Sequence, residues 1–272
     1  MKNIWIEGIQ GMGKSTLLNR IAEQVPALHV CREGDYSPVE LAWCTWMTEE
    51  EYRQIEHCYQ PIREEIRKNT FREGSHYIVT YTKILTDISG FHKEAEKFEI
   101  YNGRKSIQEL EEIICSRYWN FSDTGYLFEA SFFQNIVEDM ILFHLRSDEE
   151  ILAFYRKLYE GIEKENFRML YLYSDQMEEI IDFIKRERCD DQGNEMWYSL
   201  MMEFLIQSPY GRQHECQGFS DLIAHLRHRQ GLELRIIEEV IGERAAIIPS
   251  KEWKMEEVLA FISADNEGMS HV

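Results

Sequence analysis

The fold is decided by the stretch Gly8-Ile9-Gln10-Gly11-Met12-Gly13-Lys14-Ser15. This stretch, the 8–15 loop, matches the pattern G-x-x-x-x-G-K-[ST] at every position. In that pattern the glycines let the backbone curl until several N–H groups point at phosphate oxygens. The lysine bridges the outer phosphates of a nucleoside triphosphate, and the final hydroxyl binds Mg²⁺. We therefore expect ATP and Mg²⁺ as cofactors, held by Gly8, Gly11, Met12, Gly13, Lys14, Ser15 and Thr16.

The residues on either side of the 8–15 loop have the pattern that this role requires. Residues 4–6 are typical of a short buried strand, and residues 16–25 repeat apolar side chains at helical spacing. Pro26 ends the helix, and residues 27–31 predict a second strand. A strand, a loop and a helix in this order direct the positive end of the helix at a bound anion.

The second half of the chain alternates strands and helices regularly. Apolar runs predict strands over 126–129, 168–173 and 245–248. Helices are predicted over 132–145, from the capping box Ser147/Glu150 onward, from Asp175 as N-cap to near Arg188, over 196–206 and over 253–262. Five strands separated by helices indicate a three-layer α/β fold, the P-loop NTPase fold, around a five-stranded parallel sheet.

Carboxylates follow several of the predicted strands. Right-handed crossovers bring the carboxyl ends of parallel strands to one edge of the sheet, where ligands bind. Glu7, Glu33 and Glu129 lie at or just beyond those ends, as does Ser174. We expect them to meet the 8–15 loop at one site. Glu129 is interpreted as a metal-side and substrate-side residue that orients Ser15 or a Mg²⁺-bound water.

The middle of the chain, residues 36–124, interrupts this alternation. It is rich in aromatic residues, and its spacing predicts helices over 37–47, 49–68 and 106–119 and a β-rich segment over 76–84. We interpret 36–124 as an insertion within one domain that spans residues 1–272. Trp43 is a candidate for stacking on a ring of a bound molecule, although an aromatic stripe is also typical of a core.

Composition and charge exclude several classes of protein. A formal net charge of −19 over 272 residues argues against a nucleic-acid polymer as partner, because phosphate backbones attract clustered cations. No window approaches the roughly 18 apolar residues of a membrane span, and no signal peptide precedes the first strand, so we expect no membrane partner. The six cysteines lack metal-ligand spacing and indicate reduced thiols in a cytoplasmic protein.

Two basic clusters stand out against this acidic background, at residues 185–188 and 227–229. Clustered cations gather small anions, but a solvated helix face is the commoner interpretation. His225 and His228 show no metal-ligand spacing, and we expect both at the surface.

Three classes of nucleotide-binding protein compete for this pattern. A GTPase carries N-K-x-D to bind guanine, and no such string occurs in the chain. Transporter-type and helicase-type ATPases carry two carboxylates after a long apolar strand, whereas residues 126–129 offer only one. A small-molecule kinase needs a phosphate loop, an acceptor pocket and a basic lid, and this class fits best.

Three further motifs resemble the thymidylate kinase and deoxynucleoside kinase group. Cys31-Arg32-Glu33-Gly34-Asp35 is similar to the T-R-E-P-G and E-P motifs of that group. Glu129-Ala130-Ser131 occupies the place of D-R-Y or E-R-S, and Arg186-Glu187-Arg188 is similar to the R-x-R of the lid. The resemblance covers most of the chain in order and spacing. It implies a divergent P-loop kinase with an acceptor-binding insertion over 36–124 and a lid over 185–215.

The resemblance also implies a role for each residue of these motifs. Glu33 would contact the acceptor hydroxyl and act as its base, with Arg32 as a weaker candidate for holding substrate. Arg186 and Arg188 would close over the transferred phosphoryl group and, with Lys14, stabilise its charge. The acceptor would be a nucleoside, a nucleotide or a similar small molecule. Members of the group are usually homodimers, which implies the same assembly here.

Ala130 departs from the pattern of the group. Thymidylate kinases carry at this place an arginine that helps to hold the acceptor phosphate. Its absence leaves room for an acceptor without charge. Gln134, one turn into the next helix, is a candidate for hydrogen bonding to a polar edge of the acceptor. The same departure suits a second hypothesis, a nucleotide-binding switch or regulatory ATPase that has no small-molecule acceptor.

Overall fold

The computed structural model describes residues 1–189 and 196–264. They divide into two compact units, the first made of Met1–Val30 and Ser122–Val272 and the second of Cys31–Phe121. The second unit begins and ends within five residues of the predicted insertion, 36–124. Its role in acceptor binding stays a prediction. Residues 190–195 of the predicted lid, 185–215, lie outside the described residues.

Strands and helices occur in the order that follows. The strands are β1 (Asn3–Gly8), β2 (His29–Cys31), β3 (Thr70–Glu73), β4 (His76–Val79), β5 (Tyr126–Glu129), β6 (Phe167–Tyr173) and β7 (Ala245–Pro249). The helices are α1 (Lys14–Gln24), α2 (Glu49–Cys58), α3 (Arg63–Lys68), α4 (Phe91–Glu96), α5 (Ile107–Asn120), α6 (Gln134–Leu142), α7 (Asp148–Glu160), α8 (Met177–Glu187), α9 (Met196–Gln207), α10 (Pro209–Gln213), α11 (Phe219–Ile236) and α12 (Met255–Ser263).

A five-stranded parallel sheet forms the centre of the first unit. Its strand order is β2-β5-β1-β6-β7, and β1 pairs in parallel with both β5 and β6, as β6 does with β7. Every residue of β1 and all but the last of β6 are buried, as expected where helices cover both faces of a sheet. The predicted α/β fold with a five-stranded parallel sheet flanked by helices is confirmed.

The chain leaves the first unit and returns to it at neighbouring points. β2 lies beside β5 in the sheet, and the N–H of His29 donates to the carbonyl oxygen of Gly125 at 2.8 Å. The rings of His29 and Tyr126 are 4.7 Å apart between centroids. These contacts join the strand that precedes the second unit to the strand that follows it.

The second unit corrects three predicted elements. The predicted helix over 37–47 is wrong. The Ser37 hydroxyl accepts from the N–H groups of Val39 and Glu40, as an N-cap residue does. The Glu40 carboxylate then accepts from the next two N–H groups, which a helix would use for its own hydrogen bonds. The predicted helix over 49–68 is two helices, α2 and α3. A short turn, Gln60–Ile62, separates them, and its proline cannot donate an N–H to a continuous helix.

The predicted β-rich segment over 76–84 is a strand only as far as β4. It pairs in antiparallel register with β3, a strand that the sequence pattern did not predict, and a 3-10 turn, Tyr81–Lys83, follows. Several aromatic residues of this segment belong to a core, as Tyr52 and Tyr81 are buried in one apolar cluster and Tyr59 and Tyr77 pack against it. Trp43, in contrast, has 46% of its surface exposed.

Two elements of the first unit also differ from the predictions. Asp175 does not cap α8, whose N-cap is Gln176 without a side-chain hydrogen bond; the Asp175 carboxylate accepts from the Tyr173 hydroxyl instead. The long helix α11 was not predicted at all, although it contributes several of the buried charged side chains described below.

Two other expectations can be compared with the described residues. All six cysteines lie in this part of the chain, and each is a free thiol there. Across residues 1–189 and 196–264, no helix combines the length and the apolar character that crossing a membrane requires.

Candidate functional site

The 8–15 loop follows β1 directly and leads into α1, at the carboxyl edge of the sheet. Three of its residues have positive φ angles, Gly8 at +132°, Gly11 at +85° and Gly13 at +93°. L-residues rarely adopt these angles, so the glycines permit the turns that reverse the backbone between strand and helix. Gly13 is the N-cap of α1, and no side chain caps that helix end. The first N–H groups of α1 therefore face the loop, as the predicted anion site requires.

Neighbouring elements hold the 8–15 loop in place. A Cβ on Gly11 would meet the Ile184 side chain of α8 at 2.0 Å and that of Ile180 at 2.9 Å. On another side of the loop, the Ser250 hydroxyl donates to the Met12 carbonyl oxygen at 2.8 Å. The loop thus packs against α8 and against the segment after β7.

A substitution at Gly8 tests how tightly the loop is packed. A Cβ on Gly8 would lie 2.5 Å from the backbone oxygen of Leu172 in β6. Overpacking and backbone strain combine, so we expect Gly8→Ala to lower the free energy of unfolding by at least about 2 kcal/mol. Gly13→Ala is the matched control, since its Cβ would meet nothing within 4 Å and only about 1 kcal/mol of strain remains. Equal losses in the two variants, measured by urea unfolding, would contradict this account.

Lys14 opens α1 and folds its side chain back over the loop. Its Nζ donates to the carbonyl oxygen of Gly8 at 2.7 Å and to that of Ile9 at 3.3 Å. The residue is 8% exposed, so its charge is fixed beside the loop before any ligand arrives. A fixed cation next to inward-facing N–H groups is suited to hold an anion.

Ser15 and Glu129 meet at the carboxyl edge of the sheet, as predicted. The Ser15 hydroxyl donates to Oε1 of Glu129 at the end of β5, and Glu129 is buried. The pairing follows from the parallel register of β1 and β5, which sets Ile6 opposite Glu129. A hydroxyl and a carboxylate in contact offer hard oxygen ligands of the kind that Mg²⁺ prefers.

Glu7 is a fully buried carboxyl at the end of β1. Its two oxygens accept from the N–H groups of Phe132 and Phe133 at 2.7 and 3.3 Å. Burial raises the pKa of Glu7 to about 8, aided by the negative charge of Glu233, while the Phe132 N–H and Lys14 act in the opposite direction. The predicted strand pattern places Glu7 at a strand end, but it does not predict a function for this residue.

The raised pKa of Glu7 predicts a dependence of stability on pH. Between pH 4.5 and about 8 the folded protein keeps a proton that the unfolded chain releases, so the contribution is full at low pH and is lost as pH rises to about 8. In Glu7→Gln we expect this part of the pH dependence to disappear, as measured by urea unfolding across that range. Glu160→Gln, at an exposed position, is the control. A Glu7→Gln profile parallel to that of the wild type would count against the raised pKa.

A buried group of charged residues lies beside the loop, centred on Arg229 of α11. The Arg229 guanidinium is fully buried and donates to Glu138 of α6 and, at 2.8 Å, to Oε1 of Gln10 in the loop. Its Nε lies 3.0 Å from Glu233 without the alignment of a hydrogen bond. Glu233 in turn accepts from the Tyr171 hydroxyl at 2.7 Å. The charges are therefore compensated by one another, as burial demands.

The same group changes the pKa values of two carboxylates, Glu138 and Glu233, and contains a histidine that was predicted to lie at the surface. Burial alone would raise the pKa of Glu138, but Arg229 and His225 outweigh it and bring the pKa to about 2. Burial raises the pKa of Glu233, with Arg229 opposing. The prediction that His225 lies at the surface is wrong, because it is 2% exposed and lies 3.2 Å from Glu138. The cluster 227–229 is likewise only partly solvated, since Arg229 is buried.

The remaining predicted site residues of the first unit lie on or directly after α1, α6 and α8. Thr16 is exposed on the first turn of α1, and Gln134 is buried as the first residue of α6. Arg186 and Arg188 are both exposed at the end of α8. The Arg188 guanidinium lies over the ring of Trp197, 5.8 Å from its centroid. Their proposed closure over a phosphoryl group stays a prediction.

Three predicted residues belong to the second unit. Glu33 and Arg32 are exposed, and the Trp43 ring N–H donates to Oε1 of Glu33 at 3.0 Å. The Arg32 backbone N–H donates to the carboxylate of Asp35. The structure thus brings Glu33 and Trp43 together, with Trp43 in a left-handed conformation at φ 59°. Strained backbone of this kind often marks a functional position.

Sequence reasoning missed the buried charges that support the loop. Arg229 and Glu233 are four residues apart in α11, the spacing of an ion pair on one helix face. That spacing between apolar residues is a signal that the sequence contains. No family model matches this chain, and no curated protein matches it with significant similarity.

Proposed function

We propose that this protein is an ATP-dependent small-molecule kinase. It transfers the γ-phosphoryl group to a nucleoside, a nucleotide or a similar hydroxylated or phosphorylated metabolite. One observation carries the proposal: a glycine-rich loop at the carboxyl edge of a parallel sheet places a buried lysine, Lys14, beside the contact of Ser15 with Glu129. In this proposal the 8–15 loop is a P-loop.

The residues of the loop fit a triphosphate and its metal ion. The positive φ angles of the glycines and the uncapped start of α1 supply N–H donors for phosphate oxygens. Lys14 would hold the outer phosphates, and Ser15 would bind Mg²⁺ with Glu129 orienting it. The bound Mg²⁺ would neutralise negative charge on the phosphates during transfer.

The acceptor side of the proposal rests on the second unit and on the lid. Glu33 would contact the acceptor hydroxyl and accept its proton, with Arg32 as a further contact. Trp43, exposed and hydrogen-bonded to Glu33, would offer a ring for stacking. Arg186 and Arg188 would stabilise the charge of the transferred group.

Ala130 supports keeping a second function in view. It is buried and has a left-handed conformation at φ 52°, and its methyl group cannot hold an acceptor phosphate. A nucleotide-binding switch or regulatory ATPase needs no such group. The homodimer and the small-molecule partner belong to the kinase proposal alone. A cytoplasmic location is proposed under both functions, and the free thiols of the described residues fit a reducing compartment.

A coupled assay of ADP release separates the two functions. Purified protein with MgATP would be supplied in turn with nucleosides, nucleotides and other hydroxylated metabolites, with Lys14→Ala as the background control. The kinase proposal expects at least one acceptor to stimulate ADP release, with formation of a phosphorylated product. Binding of ATP together with ADP release that no acceptor stimulates would favour the switch.

A further inference from the structure

Gln10 occupies a variable position of the 8–15 loop, and its side chain is held by a buried cation. Nη2 of Arg229 donates to Oε1 of Gln10 at 2.8 Å. Gln10 itself is half-buried, whereas Arg229 has no exposed surface. The contact joins α11 to the loop across 219 residues of sequence.

The chemistry of the two side chains fixes the orientation of the Gln10 amide. A guanidinium has N–H donors and no acceptor, so only the carbonyl oxygen of the amide can face it. The NH₂ group of Gln10 must then point away from Arg229. Within residues 1–189 and 196–264, no protein acceptor takes these two N–H groups.

Arg229 is itself held firmly, so it can impose this orientation. Glu138 and Glu233 flank the guanidinium on two sides. Those carboxylates are held in turn by His225 and Tyr171. Buried ion pairs with additional hydrogen bonds favour one geometry, so the Gln10 amide is oriented before a ligand binds.

We infer that Gln10 is a ligand-binding residue of the 8–15 loop, donating its NH₂ group to a phosphoryl oxygen, and that Arg229 is the positioning residue that orients it. This inference rests on the proposed triphosphate site. It means that a neutral N–H donor of the loop, the Gln10 amide, binds the phosphates alongside the positively charged Lys14. It also brings an arginine to the loop from α11, whereas sequence reasoning sought one only in the lid.

Two variants of Gln10 separate donation to a ligand from support of Arg229. Gln10→Glu keeps an oxygen facing Arg229 but replaces the N–H donors with a second anionic oxygen. We expect its Kd for MgATP, measured by calorimetry, to rise at least about 10-fold, while the melting temperature of the ligand-free protein does not fall. Gln10→Met removes both functions, so we expect a similar loss of affinity together with a lower melting temperature.

The outcomes distinguish this inference from the proposed function. If the wild type binds MgATP and both variants bind it within about 2-fold of the wild type, Gln10 donates nothing and the inference falls alone. If only Gln10→Met loses affinity, Gln10 merely supports Arg229, and if only Gln10→Glu loses affinity, the loss comes from repulsion by the added charge; either result overturns the inference. If the wild type binds neither MgATP nor inorganic tripolyphosphate, the proposed function and the inference fall together.

The positioning role of Arg229 has its own test. Arg229→Lys retains a cationic group that donates and cannot accept, and therefore the orientation of the Gln10 amide, so we expect an MgATP affinity within about 3-fold of the wild type. Arg229→Gln presents an amide that can accept as well as donate, which lets the Gln10 amide rotate, and we expect an affinity loss as in Gln10→Glu. Equal affinities of the two Arg229 variants, both checked for native circular dichroism, would overturn the positioning role.

Discussion

Lys14→Met is expected to raise the Kd for MgATP at least about 100-fold, because a charged donor contributes to several hydrogen bonds with the phosphates. The methionine side chain fills a similar volume but supplies neither charge nor N–H groups. The loss is measured by calorimetry with MgATP, and again with inorganic tripolyphosphate, which isolates the phosphate contribution from that of the nucleoside.

The same substitution has a second consequence inside the protein. Lys14 lowers the pKa of both Glu7 and Glu233 by its positive charge, so its removal should keep both carboxyls protonated to higher pH. Lys254→Met is the matched control, because that lysine is 76% exposed in an ordinary surface ion pair. An affinity in Lys14→Met equal to that of the control would rule out the 8–15 loop as the phosphate site.

The largest loss of stability is expected from Arg229→Met. This variant leaves Glu138 and Glu233 buried without the cation that lies between them, and breaking a buried pair costs about 3–5 kcal/mol. Urea unfolding measures the loss. Arg227→Met, in the same helix, is the matched control, because its side chain is 53% exposed and pairs with an exposed glutamate. A surface pair of this kind contributes at most about 1 kcal/mol.

The dependence on pH gives this prediction a second readout. The pKa of Glu138 is about 2 in the folded protein, below the ordinary value of 4.5. Its contribution to stability is therefore present above pH 4.5 and lost as pH falls toward 2. Arg229→Met should abolish this acid-sensitive part, and adding Glu138→Gln should recover some of the lost stability. A single variant within about 1 kcal/mol of the wild type would contradict the ion-pair account.

Elements set by interactions between neighbouring residues could be predicted from the sequence, whereas elements set by side-chain contacts could not. The 8–15 loop and the strand and helix beside it rest on local rules of spacing and glycine conformation, and they could be predicted. The meeting of Ser15 with Glu129 also followed, because parallel strands end at one edge. The prediction of a helix over 37–47 failed because the Glu40 carboxylate binds the two backbone N–H groups that follow it, which apolar spacing does not reveal.

The helix α11 was missed for a different physical reason. Its buried face carries Arg229 and Glu233 as well as Leu222, Leu226 and Ile236. Charged residues on that face interrupt the apolar period by which helices are recognised. They are compatible with burial only through partners on α6 and β6, and those partners are distant in sequence. The orientation of the Gln10 amide depends on these buried charged residues, so it could not be predicted from the sequence.

The neighbouring points at which the chain leaves and re-enters the first unit have an evolutionary consequence. The His29 N–H donates to the Gly125 carbonyl oxygen, so β2 and β5, the strands before and after the second unit, are held together by contacts of their own. The segment between them can lengthen, shorten or be exchanged for another without shifting the register of the sheet. In the proposed kinase, a lineage could thus change which acceptor the protein binds while the strand, loop and helix around Lys14 stay unaltered.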